Sequence, residues 1–179
     1  MNSDENSGAA EELKKTAAEK ARTYELAHHG CGQCTLRALQ ETLGLEDEKV
    51  FRAASFLHGG FPVESRTCGS LLAGAMVISM KLGRDNIEEG QPGTMRGMRQ
   101  IIRLVDRFKA AFGTTFCGEV TGGLTAAVID EEVITLMEEQ PEMFDEASQR
   151  VVEICANTVA KVAELVVEIL GEEELEIGS

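Results

Sequence analysis

The stretch that decides the fold runs from Cys68 to Leu82, CGSLLAGAMVISMKL. At 3.6 residues per turn its Leu, Ile, Val, Met and Ala side chains leave no continuous polar face, only the breaks at Gly74, Ser79 and Lys81. A helix that is apolar nearly all round belongs in the enclosed middle of a bundle. It is too short to cross a bilayer, and no run of eighteen apolar residues occurs anywhere in the chain. Composition points the same way. The chain is 43% hydrophobic but contains no Trp, one Tyr and seven Phe, so its core comes from Leu, Val, Ile, Ala and Met. That palette, with three prolines in 179 residues, favours helix over sheet.

Working outward from this helix, the N-terminal side carries a loop, GGFPVESRT (59–67), and before it LEDEKVFRAASFLHGG (45–60). The latter reads as a helix, acidic in its first turn and closed by Gly59 and Gly60. A short helix from Cys34 to Gly44 precedes it. A longer one from Ala9 to His29 sets Leu13, Ala17, Ala21, Tyr24 and Ala27/His28 on one face, with Gly30 as its stop. Residues 1–8 read as a disordered leader. On the C-terminal side a loop rich in Gly, Asn and Pro leads to a helix over 94–112, where Met95, Met98, Ile101/Ile102, Val105, Phe108 and Phe112 recur at helical spacing. GTTFCGEVTGG (113–123) is a loop or the cap of a short helix. A last helix over 142–170 carries Val151/Val152, Cys155, Val159, Val162, Val166 and Ile169, and an acidic tail occupies 172–179. There is no internal repeat and no linker. The expected fold is all-α: one domain over 9–171, a single helical bundle of about six helices.

Seventeen basic residues against 31 acidic ones give a formal charge of −14, a field that repels a phosphate backbone and argues against nucleic acid as partner. The polar first thirty residues carry no secretory signal, so the expected location is cytoplasmic, without membrane insertion. In a reducing compartment the five cysteines, at 31, 34, 68, 117 and 155, are not expected to be standing disulfides, and an odd number cannot all pair within one chain.

Those cysteines carry the chemistry. HHGCGQCTLR (28–37) sets Cys31 and Cys34 at CxxC spacing. No strand precedes it, as a thioredoxin-like motif requires, Thr35 stands where a haem tether needs His, and no second CxxC completes a zinc ribbon. Cys34 and Cys68 each open a helix, with Thr67 as the expected N-cap of the second, and helix N-termini favour thiolate. Small hydrophobic packing is the bland alternative for both. Cys155 lies on an apolar stripe and reads alone as core, whereas Cys117 sits among glycines and threonines where no core argument needs it. His28 and His29 suit the negative end of a helix better than a ligand role, and His58 precedes Gly59 near Cys68 in sequence. Arg96, Arg99, Arg103 and Arg107 form one basic face on an acidic protein. That face is either solvated and ion-paired or a docking strip for an acidic partner, such as the Glu-rich last helix of a second subunit in a homo-dimer.

Taken together, Gly30/Cys34 heading a helix, TCGSLLAGAMVISMKLG (67–83), FGTTFCGEVTGG (112–123) and a cysteine in an apolar last helix resemble the C_GCAxxG_C_C family of redox-active proteins over about residues 18–170. The resemblance implies that Cys34, Cys68, Cys117 and Cys155 act as one set. The chain departs from the motif at Ser70 and Ala73, with a glycine one place later at Gly74, and Cys31 lies outside the pattern. Four sulfurs in one place suit an iron–sulfur cluster for electron transfer with a redox partner protein, and zinc would accept the same four. The alternatives are thiol–disulfide exchange, with catalytic Cys34 or Cys31 and Cys68, and a non-catalytic helical interaction module with structural zinc or no metal.

Overall fold

A computed structural model describes residues 3–60, 66–124, 135, 138–140 and 145–178. Among these there is no strand, and the helices are α1 (Ser3–His28), α2 (Cys31–Leu43), α3 (Glu48–Ala53), α4 (Gly69–Leu82), α5 (Met95–Phe112), α6 (Cys117–Val120) and α7 (Asp145–Gly178). The all-α bundle stands as expected. Among the described residues seven α-helices stand where six were expected, because Cys117–Val120 closes a short turn of its own. The expected loop at 61–65, the first two leader residues, part of the EEQPE turn and the expected start of the last helix at Glu142 lie outside the described residues.

α7 is the hub, packing against α1, α2, α4 and α5, while α4 also lies against α2 and α5. Along α1, Ala17 and Ala21 are fully buried, and Arg22 ties the helix to α7 through Asn157 at 2.7 Å and Glu153 at 2.6 Å. α4 has two different faces rather than being enclosed all round. Leu71, Ala73, Val77 and Ile78 enter the core, but Leu72, Ala75, Met76 and Met80 line an open apolar groove of about 610 Å³ with Val50 and Leu57. Gly74 marks the closest approach, since a Cβ there would lie 2.9 Å from Val162, 3.0 Å from Val166 and 3.1 Å from Leu104. The small pair Ala73-Gly74 therefore admits both α7 and α5.

Several boundaries differ from the sequence reading, each for a local reason. α1 ends at His28 because His29 (φ 57°) and Gly30 (φ 93°) both turn left-handed, which reverses the chain into α2. α2 then begins at Cys31, and the Cys34 N–H bonds the Gly30 carbonyl at 3.1 Å, so CxxC is its first turn. α3 stops at Ala53, well short of Gly59; Asp47 caps its start by accepting from the amides of Lys49 and Val50. Cys68 itself, not Thr67, is the N-cap of α4.

The acidic segment from Glu172 continues as helix to Gly178, because the arginines of α5 engage it. Arg96 bonds Glu173 at 2.6 Å, Arg103 bonds Glu176 at 2.9 Å, and Arg107 bonds Glu172 at 2.7 Å and forms an ion pair with Glu168 at 3.2 Å. Gln100, buried beneath them, donates its Nε2–H to Glu173. The basic face is thus ion-paired, its acidic partner being the chain's own last helix, while Arg99 stays exposed. Among the described residues no helix is long and apolar enough to cross a membrane.

Between α2 and α4 one polar contact is buried, Thr35 Oγ1 to Ser70 Oγ at 2.8 Å, with both residues fully enclosed. Ser70, where the chain departs from the motif it resembles, thus has Thr35 as its partner. Thr35→Val is expected to lower stability by about 1–3 kcal/mol because it strands the Ser70 hydroxyl, and adding Ser70→Ala is expected to recover most of that loss. Chemical denaturation of the two variants measures both steps.

Candidate functional site

Three chain reversals converge on the N-terminal end of α4. Thr67 and Phe116 form an isolated antiparallel bridge, closed by Cys68 N–H to the Thr115 carbonyl at 2.9 Å and Cys117 N–H to the Arg66 carbonyl at 2.6 Å. Alternation along extended chain puts Thr67 and Phe116 on one side of this bridge and Cys68 and Cys117 on the other. The burial agrees. Phe116 is 45% exposed, whereas Cys68 and Cys117 are each 4% exposed and face inward.

Cys31, in the first turn of α2, lies against the same corner: a Cβ on Gly69 would sit 3.2 Å from its sulfur. The same imagined Cβ would lie 2.0 Å from the Leu57 carbonyl oxygen, so the α3–α4 connection presses directly on Gly69. Cys155 comes from α7 and is half-buried.

The electrostatics show which sulfurs meet. Burial first, then the charges of Cys68, Cys155, Glu25 and Cys117, push the Cys31 thiol well up. Cys68 rises to about 11, chiefly by burial and with Cys117 as its largest charged neighbour, although the amides of Leu71 and Ser70 pull the other way. Cys155 is raised by burial and by Glu25, Cys117 and Cys68. Cys31 thus feels Cys68, Cys117 and Cys155, and Cys155 feels Cys68 and Cys117.

Cys34, the fifth cysteine, is held by other partners. Its sulfur lies 3.2 Å from the His29 carbonyl and within hydrogen-bonding reach of the Glu25 carboxyl, and burial with Glu25 pushes its thiol to about 12. The expectation that helix starts favour thiolate at Cys34 and Cys68 is reversed, because removal from water outweighs the backbone N–H groups. His28, His29 and His58 are exposed, and His58 Nδ1 meets the Ser55 carbonyl at 3.0 Å.

Glu25 is the residue that sequence reasoning missed. It is 3% exposed on α1, and desolvation raises its carboxyl although Cys34, His29 and His58 pull it down. One signal was available: it stands four residues after Ala21 and eight after Ala17, on the buried stripe of α1. Among the described residues no group of three or more His, Cys, Asp or Glu side chains is placed to hold a metal ion.

A family model described as "Putative redox-active protein (C_GCAxxG_C_C)" matches residues 29–169, well over half of the chain. No curated protein and no solved structure matches.

Proposed function

Because the chain belongs to the C_GCAxxG_C_C family of redox-active proteins, we propose that it passes electrons through an iron–sulfur cluster held by Cys31, Cys68, Cys117 and Cys155. Cys31 takes the place that the sequence reading gave to Cys34. The observation that carries this is the corner at the head of α4, where Cys68 and Cys117 lie buried on one side of the bridge and the Cys31 sulfur stands 3.2 Å from where a Cβ on Gly69 would be; burial raises the thiols of Cys31, Cys68 and Cys155 alike. Such a set opposes ionisation on its own, and a cationic centre removes that opposition, displacing the protons as it binds. The donor chemistry fits, since thiolates are the usual ligands of these clusters, which store and pass single electrons.

Thiol–disulfide exchange fits less well. It wants a thiolate near neutral pH that a partner can reach, and here burial pushes Cys31, Cys34 and Cys68 the other way. Zinc would accept the same four sulfurs in a closed structural site, and metal analysis separates it from iron.

Protein purified without air is expected to absorb in the visible and to contain near-stoichiometric iron and sulfide. Cys31→Ser and Cys68→Ser should each lose most of that iron, while Cys34→Ser keeps it. A colourless, iron-free anaerobic preparation refutes the reading, and a zinc-loaded one replaces it with a structural role.

A further inference from the structure

Monomers rarely leave a broad apolar surface open, and α4 borders one. Leu72, Ala75, Met76 and Met80 recur at helical spacing along its outer face, with Val50 and Leu57 as the far wall of the groove of about 610 Å³. Ser79, the polar residue of the lining, turns its hydroxyl back to the Ala75 carbonyl at 2.9 Å. On the other side stands α5, which packs against both α4 and α7. Its arginine flank is turned to α7, so its opposite flank borders the groove. That flank carries Met95, Met98 and Ile102, each about half exposed. Steps of three and four residues are the anchor pattern of a helix laid into an apolar groove.

Charge says what can lie there. At −14 the chain repels a copy of itself, so two copies approach closely only through a neutral face. This face is neutral. α4 carries one charged side chain, Lys81, and Glu174 of the same chain engages it at 3.3 Å. Arg96, Arg103 and Arg107 are held by α7. Arg99, Asp106 and Lys109 border the α5 stripe, giving the apolar centre a polar rim of the kind interfaces have. A groove and a ridge that fits it, side by side on one chain, are self-complementary. A two-fold axis between two copies seats each ridge in the other's groove at once.

We propose that this face is the interface of a homodimer, in which the Met95, Met98 and Ile102 stripe of each copy lies in the α4 groove of the other. The size suits it. α5 has 18 residues and α4 has 14, so side by side they present a face of roughly 25 by 20 Å. With the corrugation of the side chains, that is the scale of the about 800 Å² that each copy gives to a standard interface. Met76 and Met80 are unbranched and adapt to the side chains that enter between them. The arginine strip, occupied within its own chain, takes no part in joining the copies. The proposal is independent of the metal reading, since none of the five cysteines lines the groove or the stripe.

The test is sedimentation equilibrium on the full chain over a concentration series, under reductant so that no disulfide joins the copies. Wild type is expected at twice the 19.4 kDa of one chain. Ile102→Lys on the stripe and Met76→Glu in the groove each bring a charge into the interface. Each should weaken dimerisation at least about 30-fold, the loss that marks a hot-spot side chain. Leu13→Glu, on α1 and away from this face, should leave the dimer intact. Mixing the two variants is the second measurement. A pair made of one Ile102→Lys and one Met76→Glu chain sets ammonium against carboxylate at one seat and keeps the other seat as in wild type. Such heterodimers should form where neither variant pairs with itself. Far-UV circular dichroism is the folding control, and should the half-buried Met76→Glu not fold, the exposed Ile102→Lys carries the comparison. Wild type that stays monomeric overturns the proposal, whatever else lies in the groove. A dimer that persists in folded Ile102→Lys overturns it too, by placing the contact elsewhere. Folded variants that come apart yet fail to recombine overturn the mutual seating of stripe and groove.

Discussion

Gly69→Ala is expected to destabilise the protein by about 3 kcal/mol or more, at or beyond the upper end of the usual range for overpacking. The added methyl would lie 2.0 Å from the Leu57 carbonyl oxygen and 2.7 Å from its carbon. Both are backbone atoms, so no rotamer change relieves the clash. The chain must instead lift the α3–α4 connection from the corner where Cys31 and Cys68 meet. For a domain of this size the loss corresponds to a melting temperature lower by about 6–12 °C. Gly171→Ala is the control: nothing lies within 4 Å of its added methyl, and its position inside α7 favours Ala by roughly 0.5–1 kcal/mol. A pair of melting curves decides the matter. If Gly69→Ala melts with the wild type, the close packing of this corner is wrong, and the site built on it goes too.

The second large effect is a loss of stability in alkali, confined to metal-free protein. Cys34 and Cys68 are raised from 9.0 to about 12 and about 11, and Cys31 and Cys155 move in the same direction. Between pH 9 and those values the unfolded chain gives up thiol protons that the folded chain keeps. The folded state then binds more protons, so stability falls as pH rises. By pH 10 the loss is about 1.4 kcal/mol for each of Cys34 and Cys68, and Cys31 and Cys155 add to it with the same sign. Glu25 contributes with the same sign at lower pH, beginning above 4.5, because its carboxyl is also raised. Urea midpoints at pH 8, 9 and 10 measure the slope. Metal-loaded protein, whose sulfurs have already lost their protons, should show a much flatter profile. A flat profile in the metal-free chain would mean that these sulfurs sit in water.

Much of the fold was legible because helical periodicity is a local signal. The stripe through Val159, Val162 and Val166 on α7 is buried as its spacing demands, and so is Phe108 on α5, but Met95, Met98 and Ile102 of the expected α5 stripe are exposed while Leu104 is buried. What periodicity cannot give is which buried face meets which neighbour. α4 was apolar all round in sequence, yet one of its faces lines an open groove, because α3 and Leu57 stand off from it. The acidic end of α7 looked like a solvated tail, since nothing local shows that Arg96, Arg103 and Arg107 would lie beside it.

The site was half legible for the same reason. That Cys68 and Cys117 share one side of a bridge depends on two segments far apart in sequence. Cys31 lies against Gly69 at the head of α4, and His29 in a left-handed conformation, unusual for a residue with a side chain, starts α2 three residues early. Glu25 was hidden by its neighbours, since a glutamate in TYELAHH reads as solvent-facing unless Ala17 and Ala21 are followed one turn further.

The inward sulfurs come from α2, the two sides of the Thr67–Phe116 bridge, and α7. During synthesis the first of them leaves the ribosome long before the last, and Cys155 always emerges after the others. Until α7 docks, the earlier thiols stand unshielded, open to any stray oxidant or ion. The nascent chain thus passes through an interval of chemical vulnerability that ends only when its longest helix swings home.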